Sequence, residues 1–84
     1  MEEYETRLKR LRLRSWRRGM KEMDLILGQF ADKNLADLSL AQLDAHESLM
    51  EEADSDLYAW ISGRETPPAS HINAVELILN SRQD

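Results

Sequence analysis

Apolar positions recur at helical spacing along almost the whole chain. Over 3–17, Tyr4, Leu8 and Leu11 fall at i, i+4 and i+7, and Leu13, Trp16 and Met20 extend the apolar side, which predicts a first helix. Met23, Ile26, Leu27 and Phe30 repeat the spacing and give a second helix, 20–33, its core face. Gly28 lies inside that helix, where glycine costs about 1 kcal/mol relative to alanine, and close packing of a neighbouring helix is the expected compensation. Ser39 with Gln42 makes a capping box that opens a third helix, 40–52, with Leu40, Leu43, Leu49 and Met50 inward. Asp54 or Ser55 caps a short fourth, 55–62, which turns Leu57, Trp60 and Ile61 inward and is closed by Gly63. Beyond the rigid break Thr66-Pro67-Pro68, a final helix over 69–81 packs Ile72, Val75, Ile78 and Leu79. No stretch alternates or carries a hairpin signal. The expectation is an all-α protein: one domain, 1–84, folded as a single compact bundle of about five short helices.

Charge divides the chain sharply. Residues 1–21 hold 8 bases and 3 acids, whereas residues 22–84 hold 3 bases and 13 acids. Arg7, Arg10, Arg14, Arg17, Arg18 and Lys21 form a stripe along the first helix. The stripe is open to two readings, a solvated helix face or a surface for an acidic partner. The join between the basic and acidic parts is Arg17-Arg18-Gly19-Met20-Lys21-Glu22-Met23-Asp24. Gly19 there either ends the first helix in a left-handed conformation or lets another backbone approach closely.

Self-sufficient chemistry is not written in the residues, and no catalytic residue is assigned. The glycines are scattered rather than clustered into a phosphate loop. His46 and His71 are far apart, no cysteine is present, and no metal site is expected. His46 falls on the apolar side of the third helix and reads as a packing residue. No apolar run approaches the ~20 residues that span a bilayer, so no membrane insertion is expected, and a cytoplasmic protein is the simplest reading.

If the helix ran through the join, Arg18 and Glu22 would be i, i+4 neighbours. Glu22 and Asp24 lie about 200° apart on a helix, so they serve neither one metal nor one catalytic dyad. Asp24 is expected to bond a loop or another helix, leaving Glu22 exposed beside Gly19. A glycine next to an arginine and a carboxylate suits close docking of a partner's backbone.

The pattern Arg18-Gly19-x-x-Glu22-x-Asp24, preceded by Trp16-Arg17 and followed by Asp56-Leu57-Tyr58-x-Trp60 and Gly63, resembles the signature of the succinate dehydrogenase assembly factors. The resemblance runs from about Arg14 into the last helix. It implies a chaperone-like factor, not an enzyme, that binds the flavoprotein subunit of succinate dehydrogenase, and in bacteria fumarate reductase, and promotes covalent FAD attachment. It implies no tightly bound cofactor on the factor itself, a monomer, and a mitochondrial matrix location in a eukaryote. By position it makes Trp16, Arg17, Arg18, Gly19, Glu22 and Asp24 partner-binding, with Asp56 and Tyr58 secondary. Where the family often has proline before the Asp-Leu-Tyr segment, this chain has Ser55.

Three rival readings use the same residues. An antitoxin-like regulator would suit an acidic helical protein. A nucleic-acid binder would use the basic first helix, against a pI near 5.0 and few aromatics for stacking. A peripheral membrane protein would lay the same helix on lipid. None of them explains why Gly19 and Glu22 stand together at the charge boundary.

Overall fold

The computed structural model describes residues 2–82, so Met1 and the last two residues of the expected 1–84 domain lie outside it. Five helices form where the apolar spacing puts them: α1 Tyr4–Trp16, α2 Lys21–Asn34, α3 Leu40–Leu49, α4 Asp54–Ile61 and α5 Ile72–Ser81. One 3-10 turn, Leu35–Asp37, follows α2, and no strand occurs among the described residues. The Cα radius of gyration is 11.9 Å. A compact chain of this length is expected at about 12 Å, so the helices close into one all-α globule.

Helices α1 and α2 form an antiparallel pair. Tyr4 Oη donates to the Ala36 carbonyl at 3.3 Å, Arg12 pairs with Asp32 at 3.4 Å, and Trp16 lies on Gly28. Partners thus descend along α2 as they ascend along α1. The Trp16 indole rests where a side chain at residue 28 would begin, because a Cβ built on Gly28 would overlap its ring. Its Nε1–H donates to both carboxylate oxygens of Asp32 at 3.2 Å. This close approach compensates the glycine's poor helix propensity.

Leu8 and Leu11 of α1, Met23, Leu27 and Phe30 of α2, Leu43 and Leu49 of α3, Leu57, Trp60 and Ile61 of α4, and Val75 and Ile78 of α5 share one core. Ser39 accepts from the Gln42 backbone N–H at 3.1 Å and the Gln42 side chain accepts from the Ser39 N–H at 2.9 Å, completing the capping box of α3.

Four apolar side chains expected inside are not. Leu13 is 50% exposed because it sits about 200° around α1 from Leu11, opposite the core. Met20 is 36% exposed because α1 stops at Trp16, so spacing counted across the join loses its register. Leu40 is 65% exposed, in a first turn of α3 where Ser39 and Ala41 are exposed as well. Tyr4 lies on the surface and closes α1 onto the 3-10 turn through its hydroxyl. Conversely, Leu35, which falls between the expected helices 20–33 and 40–52, is fully buried.

Three boundaries also move. Helix α3 ends at Leu49 rather than 52, and α5 begins at Ile72 rather than 69, after a turn in which the His71 N–H donates to the Pro68 carbonyl at 2.8 Å. Neither Asp54 nor Ser55 caps α4. Its N-cap is Ala53 without a side-chain bond, and Asp54 instead faces an arginine from the connection after α1.

Candidate docking site

Four residues, 17–20, connect α1 to α2. The Arg17 N–H still donates to the Leu13 carbonyl at 3.0 Å, and the helix stops there. Gly19 then takes φ +95°, a left-handed conformation that costs other residues about 1–2 kcal/mol, and this reverses the chain. Asp24, in the first turn of α2, reaches back and accepts the Arg18 backbone N–H at 2.6 Å. The connection is therefore a fixed turn, closed by a charge-assisted hydrogen bond.

The break in the helix redirects Arg18. Instead of pairing with Glu22, its guanidinium enters the body of the protein and is 11% exposed. Nε donates to Asp54 Oδ1 at 2.9 Å, Nη1 to the Met50 carbonyl and Nη2 to the Glu52 carbonyl, both at 2.5 Å. Those carbonyls lie at and just past the end of α3, where helical partners run out. The early end of α3 and the position of Arg18 are thus one event. From the other side, Glu52 Oε2 meets His71 Nε2 at 2.7 Å, so the α3–α4 turn is held by both Arg18 and the start of α5.

Among the expected site residues, the turn makes a division. Trp16, Arg18 and Asp24 face inward or are half-buried and hold the turn, while Arg17, Gly19 and Glu22 are exposed. Met20 and Lys21 complete an uninterrupted exposed run, 19–22. No heavy atom lies within 4 Å of a Cβ built on Gly19, so that side of the turn is open. Asp56 is exposed in the first turn of α4, and Tyr58 is half-buried against the core.

The basic stripe does not present itself to solvent as a unit. Arg7 reaches Asp44 at 2.6 Å and Glu47 at 3.1 Å, Arg10 reaches Glu2 and Glu47 at 2.9 Å, and Arg14 reaches Glu51 at 3.0 Å. With Arg18 on Asp54, α1 is laced to α3 and the α3–α4 turn. Hydrogen bonding to Asp44 raises the Arg7 pKa, and hydrogen bonding to Glu2 and Glu47 raises that of Arg10. Arg14 in turn holds the Glu51 carboxyl below its usual range by hydrogen bonding. The acidic partner of the stripe is largely the chain's own third helix and the residues from there to the start of α4. Asp44, Glu47, Glu51 and Asp54 were missed as partners, yet their steps of 3, 4 and 3 nearly match the steps of 3, 4 and 4 of Arg7, Arg10, Arg14 and Arg18.

His46 is buried, stacked on Phe30 with ring centroids 5.4 Å apart, and its Nε2 lies 3.0 Å from Ser15 Oγ. Ser15 donates its own proton to the Leu11 carbonyl at 2.8 Å, so the histidine ring nitrogen is the donor between them. Burial, aided by the nearby Arg18 charge, pushes the His46 pKa down to about 4, and the ring is neutral at pH 7. The fully buried Ser15 reaches no substrate, so the pair is a packing element. Among the described residues no three metal-ligating side chains gather, and no helix is long and apolar enough to cross a membrane.

The site is thus a rigid, glycine-centred turn with one carboxylate and one guanidinium beside it. A family model described as the flavinator of succinate dehydrogenase, Sdh5, matches residues 9–82. The chain belongs to this family. Among relatives of the Sdh5 chain, the FAD assembly factor SdhE of Legionella pneumophila (strain Lens) is 39% identical over 64 residues, which is 76% of this chain and 81% of the relative. The mitochondrial succinate dehydrogenase assembly factor 2 of Meyerozyma guilliermondii is 46% identical over 56 residues, 67% of this chain. The factor of the same name from Caenorhabditis briggsae is 36% identical over 69 residues, 80% of this chain. The match spans 42% of the Meyerozyma protein and 57% of the Caenorhabditis one. No solved structure matches the chain.

Proposed function

We propose that the chain is an assembly factor that promotes covalent attachment of FAD to the flavoprotein subunit of succinate dehydrogenase, and of fumarate reductase where a cell makes one. Membership of the Sdh5 family supports this reading, and so do relatives named for succinate dehydrogenase assembly and for FAD assembly. The observation that carries it to particular residues is the open Gly19 turn. It sets a backbone without a side chain beside the exposed Glu22, on a scaffold fixed by Arg18 and Asp24.

The factor acts by binding rather than by chemistry of its own. Bond formation between FAD and the flavoprotein stays with the flavoprotein, and the factor favours the arrangement in which that bond forms. It does so only by binding that arrangement better than the alternatives. A fixed turn suits this task, because a surface already ordered loses little entropy on docking. It works as a monomer without a tightly held cofactor, in the cytoplasm or the mitochondrial matrix.

The nucleic-acid reading loses most of its basis once the stripe is paired internally. Five of the eight N-terminal bases already face carboxylates. The test is flavin fluorescence of the denatured flavoprotein subunit from cells with and without the protein. Covalent flavin survives denaturation, so the signal falls without the factor and returns with wild type but not with Gly19→Arg. Unchanged covalent flavin would sink the proposal for that flavoprotein.

A further inference from the structure

Internal pairing removes Arg7, Arg10, Arg12, Arg14 and Arg18 from the N-terminal charge, and it leaves Lys9, Arg17 and Lys21 without an ion pair among the described residues. The three are not scattered. Lys9, Leu13 and Arg17 follow at i, i+4 and i+8, so they stack along one face of α1 over about 12 Å. That face points away from the core residues Leu8, Leu11 and Ser15, and all three side chains are exposed. It runs directly into the exposed 19–22 turn, where Met20 and Lys21 add a second apolar side chain and a third free cation. Leu13 and Met20 are two of the five large apolar side chains exposed among the described residues.

The sequence explains how this happens. Every α1 arginine that can reach α2, α3 or the α3–α4 turn has found an acid there. Lys9, Arg17 and Lys21 make no ion pair among the described residues, although Glu5 stands one turn before Lys9 on the same face. The result is a local positive, partly apolar strip on a chain whose remaining surface is acidic, with a net charge of −5 overall.

We propose that this strip, Lys9, Leu13 and Arg17 with Met20 and Lys21, is a second half of the docking surface and seats an acid-rimmed apolar recess on the flavoprotein subunit. The proposal rests on the assembly-factor reading above and deepens it. Charge complementarity selects the occupant. A uniform polyanion gains from only three cations and meets repulsion from the acidic remainder, and it leaves Leu13 and Met20 unmatched. A protein surface with carboxylates around an apolar hollow satisfies both components. Its carboxylates steer encounter and fix orientation, while the leucine and methionine are desolvated at the centre. Gly19 and Glu22 then set the closest approach, and the strip sets the register.

The test is calorimetric titration of the purified succinate dehydrogenase flavoprotein subunit with the purified chain, across a salt series. The variants are Lys9→Glu, Leu13→Asp and Lys21→Glu, with Lys33→Glu and Arg64→Glu as reversals of cations elsewhere. Circular dichroism confirms that each is folded. Each strip variant is expected to raise Kd about tenfold, and the two charge reversals to flatten its salt dependence, while the elsewhere reversals leave Kd within about twofold. If wild type binds, Gly19→Arg does not, and the strip variants bind like wild type, the strip proposal is overturned and the assembly-factor reading stands. If wild type itself does not bind the flavoprotein, the assembly-factor reading falls and takes the strip with it. Binding of wild type to anionic lipid vesicles or single-stranded RNA, lost in the strip variants while flavoprotein binding persists, also overturns it.

Discussion

Removing the Arg18 side chain tests the scaffold beneath the docking turn. In Arg18→Ala the Met50 and Glu52 carbonyls and the Asp54 carboxylate lose their shared donor, in a place where the guanidinium was only 11% exposed. Hydrogen bonds to a charged group contribute about 1.5–3 kcal/mol each, but three made by one side chain do not add. Water reaches part of the vacated site and rehydrates Asp54, which lowers the penalty further. Removing one partner of a buried pair costs about 3–5 kcal/mol, so about 3 kcal/mol is the working figure. For a domain of this size, with a total stability of about 4–13 kcal/mol, that is a loss of roughly 12–24 °C in Tm. Arg18→Lys keeps the charge but replaces the fork by a single ammonium that cannot serve three acceptors at once, and it is expected to recover less than half of the loss. Urea unfolding followed by circular dichroism measures both. A loss below about 1 kcal/mol in Arg18→Ala, or full rescue by lysine, refutes the claim that this side chain ties the two turns together.

Two further predictions concern the core. The His46 pKa is lowered from 6.5 to about 4 in the folded chain, so between those values the unfolded chain binds the proton more readily. The stability this provides is complete above pH 6.5 and is lost progressively as the pH falls towards 4, by about 3 kcal/mol in all; His46→Gln flattens that part of the urea-midpoint profile, and an unchanged slope would contradict the assignment. Gly28→Ala gains about 1 kcal/mol in helix propensity yet forces the Trp16 ring aside, at about 1–3 kcal/mol, so it destabilises; the same change in a Trp16→Leu background is neutral or stabilising. Equal effects in the two backgrounds would show that Trp16 does not occupy the glycine's space.

Local rules made much of the fold readable. Met23, Leu27 and Phe30 marked the buried face of α2, and the spacing of Ser39 and Gln42 was enough for a capping box that the structure contains. Gly28 inside a helix called for a close neighbour, and Trp16 is that neighbour. What escaped was information carried by contacts distant in sequence. The break itself was legible, because Gly19 at the join offered a left-handed end to α1 and the structure takes it, but where that break sends Arg18 and Met20 was not. The early end of α3 depends on an arginine more than 30 residues upstream taking its carbonyls. The arginine stripe looked like a surface because each residue was counted on its own helix. The matching acids on α3 and just beyond it were nearly as periodic, but pairing two periodic stripes requires knowing that their segments adjoin. Of the docking turn, the sequence marked Gly19 and Glu22; which neighbours face outward emerged only from the three-dimensional arrangement.

The central claim is that an open, rigid Gly19–Glu22 turn on this scaffold accelerates flavin attachment. Its most direct test is a time course of covalent FAD on purified apo-flavoprotein subunit incubated with free FAD, with and without the purified chain. Wild type is expected to speed the appearance of flavin fluorescence on the denatured subunit, while Gly19→Arg and Glu22→Ala, folded by circular dichroism, do not. Attachment at the same rate with either variant as with wild type would contradict the account.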